Sequence, residues 1–351
     1  MRRAPTVPAL LVALALPVLA SGAAIVASRY ESSLDIPPRL QWNANSGYCG
    51  ETSFISAGLF FGQYASQYTM RSLASPGVPQ SDPESQLLLG VNDLEAARRM
   101  RLEAVAWEPP RGASSEDFLV WVKRRLLLGD AVILGVFTNE WIFYGATDPR
   151  AGDPEYDHIV PVLGIGSDRP FRPKWMQQYL ASDVIRFSDN GLFTGNGDPV
   201  YRFDDRFDSF RQTRAGANRK DGPIYSLKKG GRQYGVAVTG VADRDGVTLP
   251  VRVETSANFE IPEMQDGSNA PPPSMPLELT AVVSIARPGR AHRLYLYDDF
   301  ADVPEADFNA NAARAARVWD IPARSGLSFE VKVAIRSDEV AVFRAVPASA
   351  P

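Results

Sequence analysis

The chain has few of the residues that build disulfides and metal sites. Its 351 residues include one cysteine, Cys49, and two histidines, His158 and His292. One cysteine excludes an internal disulfide, and two distant histidines with one cysteine do not make a recognisable ligand cluster. We therefore expect no metal and no cofactor, and we expect stability to come from core packing.

A strong excess of charge is also missing. The net charge is −4, and loss of Arg2 and Arg3 with a leader would leave 35 basic against 41 acidic residues. This balance argues against nucleic acid as a partner. Hydrophobic residues at 45% and charged residues at 22% are typical of a globular protein, and the length favours two domains.

The N-terminus has the order of segments found in a secretory signal peptide. Arg2 and Arg3 precede an uncharged apolar stretch at 8–20, which is followed by small residues at 21–24. The sequence therefore predicts a signal peptide at 1–23, a linker at 24–35 and a secreted, extracellular protein. A membrane anchor with the rest of the chain facing outside stays open, because the uncharged run continues to residue 27 and reaches about 20 residues.

Periodicity and capping signals predict helices early in the chain and strands later. A helix is predicted from Cys49 to about Tyr68, a second after Asn92, and a third from a capping box at Ser114 to Gly129. The strands are predicted at 103–107, 131–137, 158–165 and 183–187. This order favours an α+β fold for a first domain at 36–220.

The chain changes character beyond about residue 221. Short alternating runs between turn residues predict a small all-β sandwich at 221–351, with a glycan or surface partner as a possible ligand. Its strands are predicted at 234–240, 249–253, 277–285, 293–297 and 328–335. One helix is predicted at 309–316, a proline-rich loop at 262–276, and His292 is expected at the surface.

Several residues of the first domain have the chemistry of a cysteine-nucleophile site. Cys49 opens a predicted helix, where unpaired amides and the helix dipole favour a thiolate. His158 begins a predicted strand and is the candidate base. Asp189 and Asn190 follow the next strand, and either side chain could orient the imidazole. Gln41 could donate to an oxyanion, with the Cys49 amide as the second donor.

These residues also carry a family resemblance. It rests on the runs Gln41-Trp42-Asn43, Gly47-Tyr48-Cys49-Gly50-Glu51-Thr52-Ser53, His158-x-Val160-x-Val162-x-Gly164 and Ser188-Asp189-Asn190-Gly191. Together they resemble the papain-like cysteine peptidases, and look closest to the branch related to double-glycine leader peptidases of bacteriocin exporters. The resemblance covers residues 36–210. It implies a papain-like fold, a peptide or protein substrate, and a site with Cys49 as nucleophile, His158 as base, Asp189 as orienting residue and Gln41 in the oxyanion hole.

Three local alternatives stay open. Gln41 precedes the cysteine by eight residues, which is more than the commoner spacing, so Asn43 or Asn45 could donate instead. Asn190 is the alternative to Asp189. Glu51 would oppose thiolate formation if it points at Cys49, but it could also face solvent or select a basic group of the substrate.

Two other functional classes also stay open. The first is an exported binding or surface protein whose papain-like half is inactive and whose β-sandwich recognises a partner. The second is a transglutaminase-like acyltransferase, which uses the same residue types.

Overall fold

The computed structural model describes residues 28–173, 176–194, 197, 199–256, 263–285 and 289–348. The predicted signal peptide or anchor at 1–23, and residues 24–27 of the predicted linker, lie outside them. Within the described part of the chain, no helix has the length and apolar character needed to cross a membrane.

The chain folds into helices and antiparallel sheets, which agrees with the predicted α+β class. The helices are α1 Cys49–Phe60, α2 Gln67–Ala74, α3 Asp93–Arg99, α4 Ser115–Leu128, α5 Glu140–Tyr144, α6 Phe207–Phe210 and α7 Arg214–Ala217. The strands of the first half are β1 Tyr30–Ser33, β2 Gln63–Tyr64, β3 Leu102–Ala106, β4 Ala131–Thr138, β5 His158–Ser167, β6 Val184–Ser188, β7 Arg202–Arg206 and β8 Arg211–Gln212. The later strands are β9 Tyr225–Lys228, β10 Gly235–Val241, β11 Val251–Thr255, β12 Pro276–Ser284, β13 His292–Tyr297, β14 Arg317–Ile321, β15 Ser328–Arg336 and β16 Ala341–Pro347.

The first helix is shorter than predicted. It ends at Phe60, and Gly62 follows with a left-handed φ of 79°. The Ser66 side chain then accepts the Thr69 amide and starts a separate helix, α2. One helix from Cys49 to Tyr68 is therefore wrong, because a left-handed glycine and a new cap divide it.

The capping box of α4 is confirmed. The Asp117 amide donates to Ser114 Oγ at 3.3 Å, and the Ser114 amide donates to the Asp117 carboxylate at 2.8 Å. Gly129 ends the helix with φ 91°.

The largest sheet has nine strands and holds the candidate histidine. Its main path is β3-β10-β4-β5-β6-β7, β1 pairs with β5, β9 pairs with β4, and β8 pairs with β9. The pairing is antiparallel except between β8 and β9. Strand β1 lies in the predicted linker, where Tyr30 is opposite Ser167 of β5.

Two smaller sheets follow, and we call them the C-terminal sheets. One has the order β11-β12-β15 and the other β14-β13-β16-β2. Strands β9 and β10, predicted as part of a domain that begins at 221, belong instead to the nine-stranded sheet. The predicted boundary therefore cuts through that sheet, and the C-terminal sheets also take in β2 from the first half.

Helix α1 lies between these layers. Every residue from 50 to 59 is buried, so the helix has no solvent face. One apolar core joins Phe54 of α1 to Ile159 of β5 and to Val253 and Val342 of the C-terminal sheets. Packing on both sides holds the start of α1, and with it Cys49, against the start of β5.

Three predictions for the C-terminal part need correction. Strands β14 and β16 were not predicted from the sequence, and the predicted helix at 309–316 contains only a 3₁₀ turn at Ala312–Arg314. His292 is 4% exposed rather than at the surface, because it begins β13 inside the four-stranded sheet.

Candidate functional site

The start of α1 is held by close backbone packing. Gly50 lies against the carbonyl of Leu87, and a Cβ at position 50 would overlap the Leu87 oxygen. Ile159 of β5 lies on the same side, next to His158 in the chain. Glycine after the nucleophile candidate is therefore required for two chain segments to approach the helix.

A buried ion pair fixes the loop that precedes Cys49. Arg71 and Glu51 are 0% and 1% exposed, and Arg71 Nε donates to Glu51 at 2.7 Å. The guanidinium also donates to the carbonyls of Asn45, at 2.9 Å, and of Gly47. The Leu87 amide donates to the same Glu51 carboxylate at 3.1 Å. Glu51 thus neither faces solvent nor reaches a substrate, because its buried carboxylate is bonded to Arg71 and to the Leu87 amide and positions the loop.

A polar cleft of about 650 Å³ opens beside this loop. Its lining comprises Gln41, Asn43, Ala44, Asn45, Ser46, Gly47, Cys49, Ser81, Tyr144, Asp157, His158, Leu192, Asp266 and Gly267. The structure therefore brings together the candidate nucleophile, the candidate base and the three candidate side-chain donors to the oxyanion, Gln41, Asn43 and Asn45. Asp189 and Asn190 lie behind His158 and do not line the cleft.

The tautomer of His158 is set by a backbone carbonyl. Nε2 lies 2.8 Å from the carbonyl oxygen of Asp189, which can only accept, so Nε2 carries the proton. In the neutral ring, Nδ1 is then the acceptor. Burial lowers the pKa of His158 to about 4, although the bond to Asp189 acts in the opposite direction.

The Asp189 side chain has a different role from the one predicted. Its carboxylate accepts the Gly191 amide at 2.8 Å, the Phe193 amide at 2.9 Å and the Tyr225 hydroxyl at 2.7 Å. Burial raises the pKa of this carboxyl to about 6, and the Tyr225 bond opposes the shift. Asp189 therefore orients His158 through its main chain, while its carboxylate holds the turn that presents that carbonyl.

Asn190 ties the cysteine helix to the histidine strand. It has a left-handed φ of 61°, which asparagine tolerates better than most residues. Its Nδ2 donates to Ser53 Oγ at 3.0 Å and to the Ile159 carbonyl at 3.1 Å. The Gln41 backbone N–H donates to the Asn190 carbonyl at 3.0 Å. Asn190 is thus a positioning residue and not an acceptor for the imidazole proton.

The Cys49 thiol is neutral in this arrangement. Burial raises its pKa to about 12, and the charge of Glu51 adds to the shift. The neighbouring backbone of Ile159 and Gly50 acts in the opposite direction and lowers the pKa. No hydrogen bond joins Sγ to the His158 ring among the contacts of the described residues. The two groups share a cleft without forming the expected thiolate–imidazolium pair.

The candidate oxyanion donors differ in availability. Gln41 is 8% exposed, and its Oε1 is buried without a hydrogen-bond partner in the described structure. Asn43 is exposed, whereas Asn45 donates its Nδ2 to Ser268 at 3.0 Å and accepts the Gly267 amide at 2.6 Å. Asn45 is therefore committed to the loop, and Gln41 has the side-chain amide that a ligand could engage.

Sequence reasoning missed two residues that shape the site. Tyr225 stacks on the His158 ring with centroids 5.7 Å apart and also bonds the Asp189 carboxylate. It belongs to β9, in the part assigned to the second domain, so no local signal pointed to it. Arg71 also had no motif, although a buried Glu51 would need a cation nearby.

Comparison of the chain with protein-family models, curated proteins and solved structures finds no match. In the residues that the structure describes, no three or more His, Cys, Asp and Glu side chains are arranged to hold a metal ion.

Proposed function

We propose that the chain is an exported cysteine-nucleophile hydrolase with a papain-like catalytic half, a peptidase whose nucleophile is Cys49. The observation that supports this proposal most is the His158 ring. The Asp189 carbonyl holds Nε2 protonated, which leaves Nδ1 as the acceptor of a ring that lines the same cleft as Cys49.

The fold supports the papain-like assignment only in outline. A buried helix begins at the cysteine and packs on an antiparallel sheet whose strand β5 begins at the histidine. The next strand, β6, ends at the residues that orient the ring. The two C-terminal sheets bury a common core, as in a β-sandwich.

The mechanism starts from a neutral thiol and a neutral imidazole. Because both are neutral at rest, His158 Nδ1 removes the Cys49 proton as sulfur attacks the carbonyl carbon. The Gln41 amide and the Cys49 backbone N–H stabilise the oxyanion. The imidazolium then protonates the leaving amine as the C–N bond breaks and the thioester forms. His158 next takes a proton from water as the water oxygen attacks the thioester, and the C–S bond breaks as the imidazolium returns that proton to the sulfur and the carboxylic acid leaves.

This proposal is tested with a mixed peptide library and mass spectrometry of the products. The unaltered protein is expected to cleave a subset of peptides, and Cys49→Ala and His158→Gln are expected to abolish cleavage. Asp320→Asn, which changes a side chain 85% exposed on β14, is the control and is expected to keep it. Absence of cleavage by the unaltered protein, or persistence in Cys49→Ala, contradicts the proposal. Products joined to an added amine would instead indicate acyl transfer.

A non-catalytic binding protein is the second candidate. The raised pKa of Cys49 and the absence of a bond to His158 among the described contacts favour it. Such a protein would bind peptides in the cleft without cleaving them, and Cys49→Ala would leave that binding unchanged.

A further inference from the structure

A loop from the C-terminal sheets reaches the candidate catalytic cleft. Residues 263–275 precede β12 in the chain, and Asp266, Gly267 and Ser268 lie on the loop before Cys49. The Asn45 amide donates to Asp266 Oδ1 at 2.6 Å, and the Gly267 amide donates to Asn45 Oδ1 at 2.6 Å. Asn45 Nδ2 donates to the Ser268 carbonyl at 3.0 Å. These bonds join the two parts of the chain beside the nucleophile candidate.

The same loop contributes an acid to the wall of the cleft. Asp266 and Gly267 line it together with Cys49 and His158. Asp266 is exposed and forms no ion pair with a described residue. Its Oδ1 accepts the backbone amides of Asn45 and Gly267. Both donors are neutral, so no described cation compensates the negative charge of Asp266.

The remaining charges of the cleft do not cancel this acid. Asp157 also lines it but is paired with Arg214, and no lysine or arginine is among the lining residues. His158 is neutral near pH 7, because burial holds its pKa at about 4. A cation in the cleft would therefore meet net negative charge and no competing positive group.

A second feature also points to a donor on the ligand. Gln41 lines the same cleft, and its Oε1 is buried and has no hydrogen-bond partner among the described residues. Burial of an acceptor without a partner is unfavourable, and a ligand N–H would satisfy it.

We propose that loop 263–275 forms one wall of the substrate cleft, and that Asp266 selects peptides with a lysine or arginine side chain close to the scissile bond. This inference rests on the proposed function, because it names the substrate class of the same site. Asp266 would act as a specificity-determining residue and would take no part in proton transfer.

The experiment compares peptides that differ at one position near the scissile bond, which carries lysine, norleucine or glutamate. We expect kcat/KM for lysine to exceed that for norleucine by about two- to fivefold at low salt, as for an exposed charge pair, and glutamate to be the poorest. In Asp266→Asn, the lysine-to-norleucine ratio should fall to about one. Asparagine keeps an acceptor oxygen for the Asn45 amide, so the loop contact is retained while the charge is lost.

Asp320→Asn is the matched control and should keep the lysine preference. Cleavage without a preference for lysine, or a preference that persists in Asp266→Asn, overturns the inference while the hydrolase proposal stands.

If no peptide is cleaved, the hydrolase proposal fails, and the affinity of the cleft for the same peptides then tests the role of Asp266. Calorimetry with the same peptides on Cys49→Ala should still show tighter binding of the lysine peptide. Equal affinities, or a preference that Asp266→Asn does not remove, would overturn the inference.

Discussion

The ionisation of Cys49 makes the sharpest prediction, because the chain has no other cysteine and every alkylation event reports this one site. Burial and the nearby Glu51 charge raise the pKa of the thiol to about 12. Thiolates react and thiols do not, so the alkylation rate should follow the thiolate fraction. We expect a slow reaction that accelerates with pH and shows no plateau below pH 9.

The expected magnitude follows from the pKa. At pH 7 a thiol of pKa about 12 is ionised to about one part in 100,000, whereas a free cysteine near 8.5 is ionised to about 3%. The rate should therefore rise about 100-fold between pH 7 and pH 9. A thiolate held by a protonated imidazole would instead react at an almost constant rate over this range.

Labelling with iodoacetamide, quenched at timed intervals and followed by intact-mass measurement, gives the alkylation rate at each pH. Glu51→Gln should react faster than the unaltered protein, because it removes a charge that raises the thiol pKa while an amide oxygen still accepts from Arg71. His158→Gln should leave the dependence of the alkylation rate on pH unchanged, because no hydrogen bond joins the ring to the sulfur among the described residues. A free peptide with one cysteine calibrates the reagent.

A flat rate between pH 5 and pH 8 would refute this reasoning. It would mean that Cys49 is ionised at rest, and that the imidazole and helix start outweigh burial. Loss of that plateau in His158→Gln would identify the imidazole as its cause.

Three further predictions concern stability. Gly50→Ala should lower the free energy of unfolding by about 2 kcal/mol or more, because its Cβ overlaps a carbonyl oxygen; unchanged urea midpoints would contradict this. Arg71→Met should lower the free energy of unfolding by about 3–5 kcal/mol, because it leaves a buried carboxylate unpaired. Arg98→Met removes a partner from a pair whose side chains are 65% and 41% exposed, and should lower it by less than about 1 kcal/mol. Equal losses in urea denaturation would contradict this difference. The pKa of His158 is lowered to about 4, so the folded state should lose up to about 3 kcal/mol as pH falls from about 6.5 to 4, and His158→Gln should flatten that part of the stability curve. Parallel curves for the two proteins would show that His158 is not the group responsible.

Local signals explain the successful sequence predictions. The capping box at Ser114 and the left-handed Gly129 bound α4 because both act within one helical turn. Cys49 begins α1 and His158 begins β5, as the patterns predicted. Errors arose where strands pair over long sequence distances. Strand β10 joins β3 and β4, and β16 joins β2, and no alternation of apolar residues specifies such partners.

The candidate site divides in the same way. Residue types and spacing selected Cys49, His158 and Gln41, which line one cleft in the folded chain. They also selected Asp189, but through its side chain, whereas its backbone carbonyl meets the imidazole. A carboxylate and a carbonyl of one residue are equivalent in a sequence pattern, and the turn after β6 decides between them.

By itself, the sequence determined the start of the cysteine helix and of the histidine strand, because each depends on neighbours along the chain. Only the tertiary structure decided the protonation of the site and the wall of its cleft. Burial depends on all the layers packed around Cys49 and His158, and Asp266 reaches the cleft from a loop more than 200 residues away in the chain. Such long-range packing and desolvation are summed over the whole fold, so no local pattern encodes them.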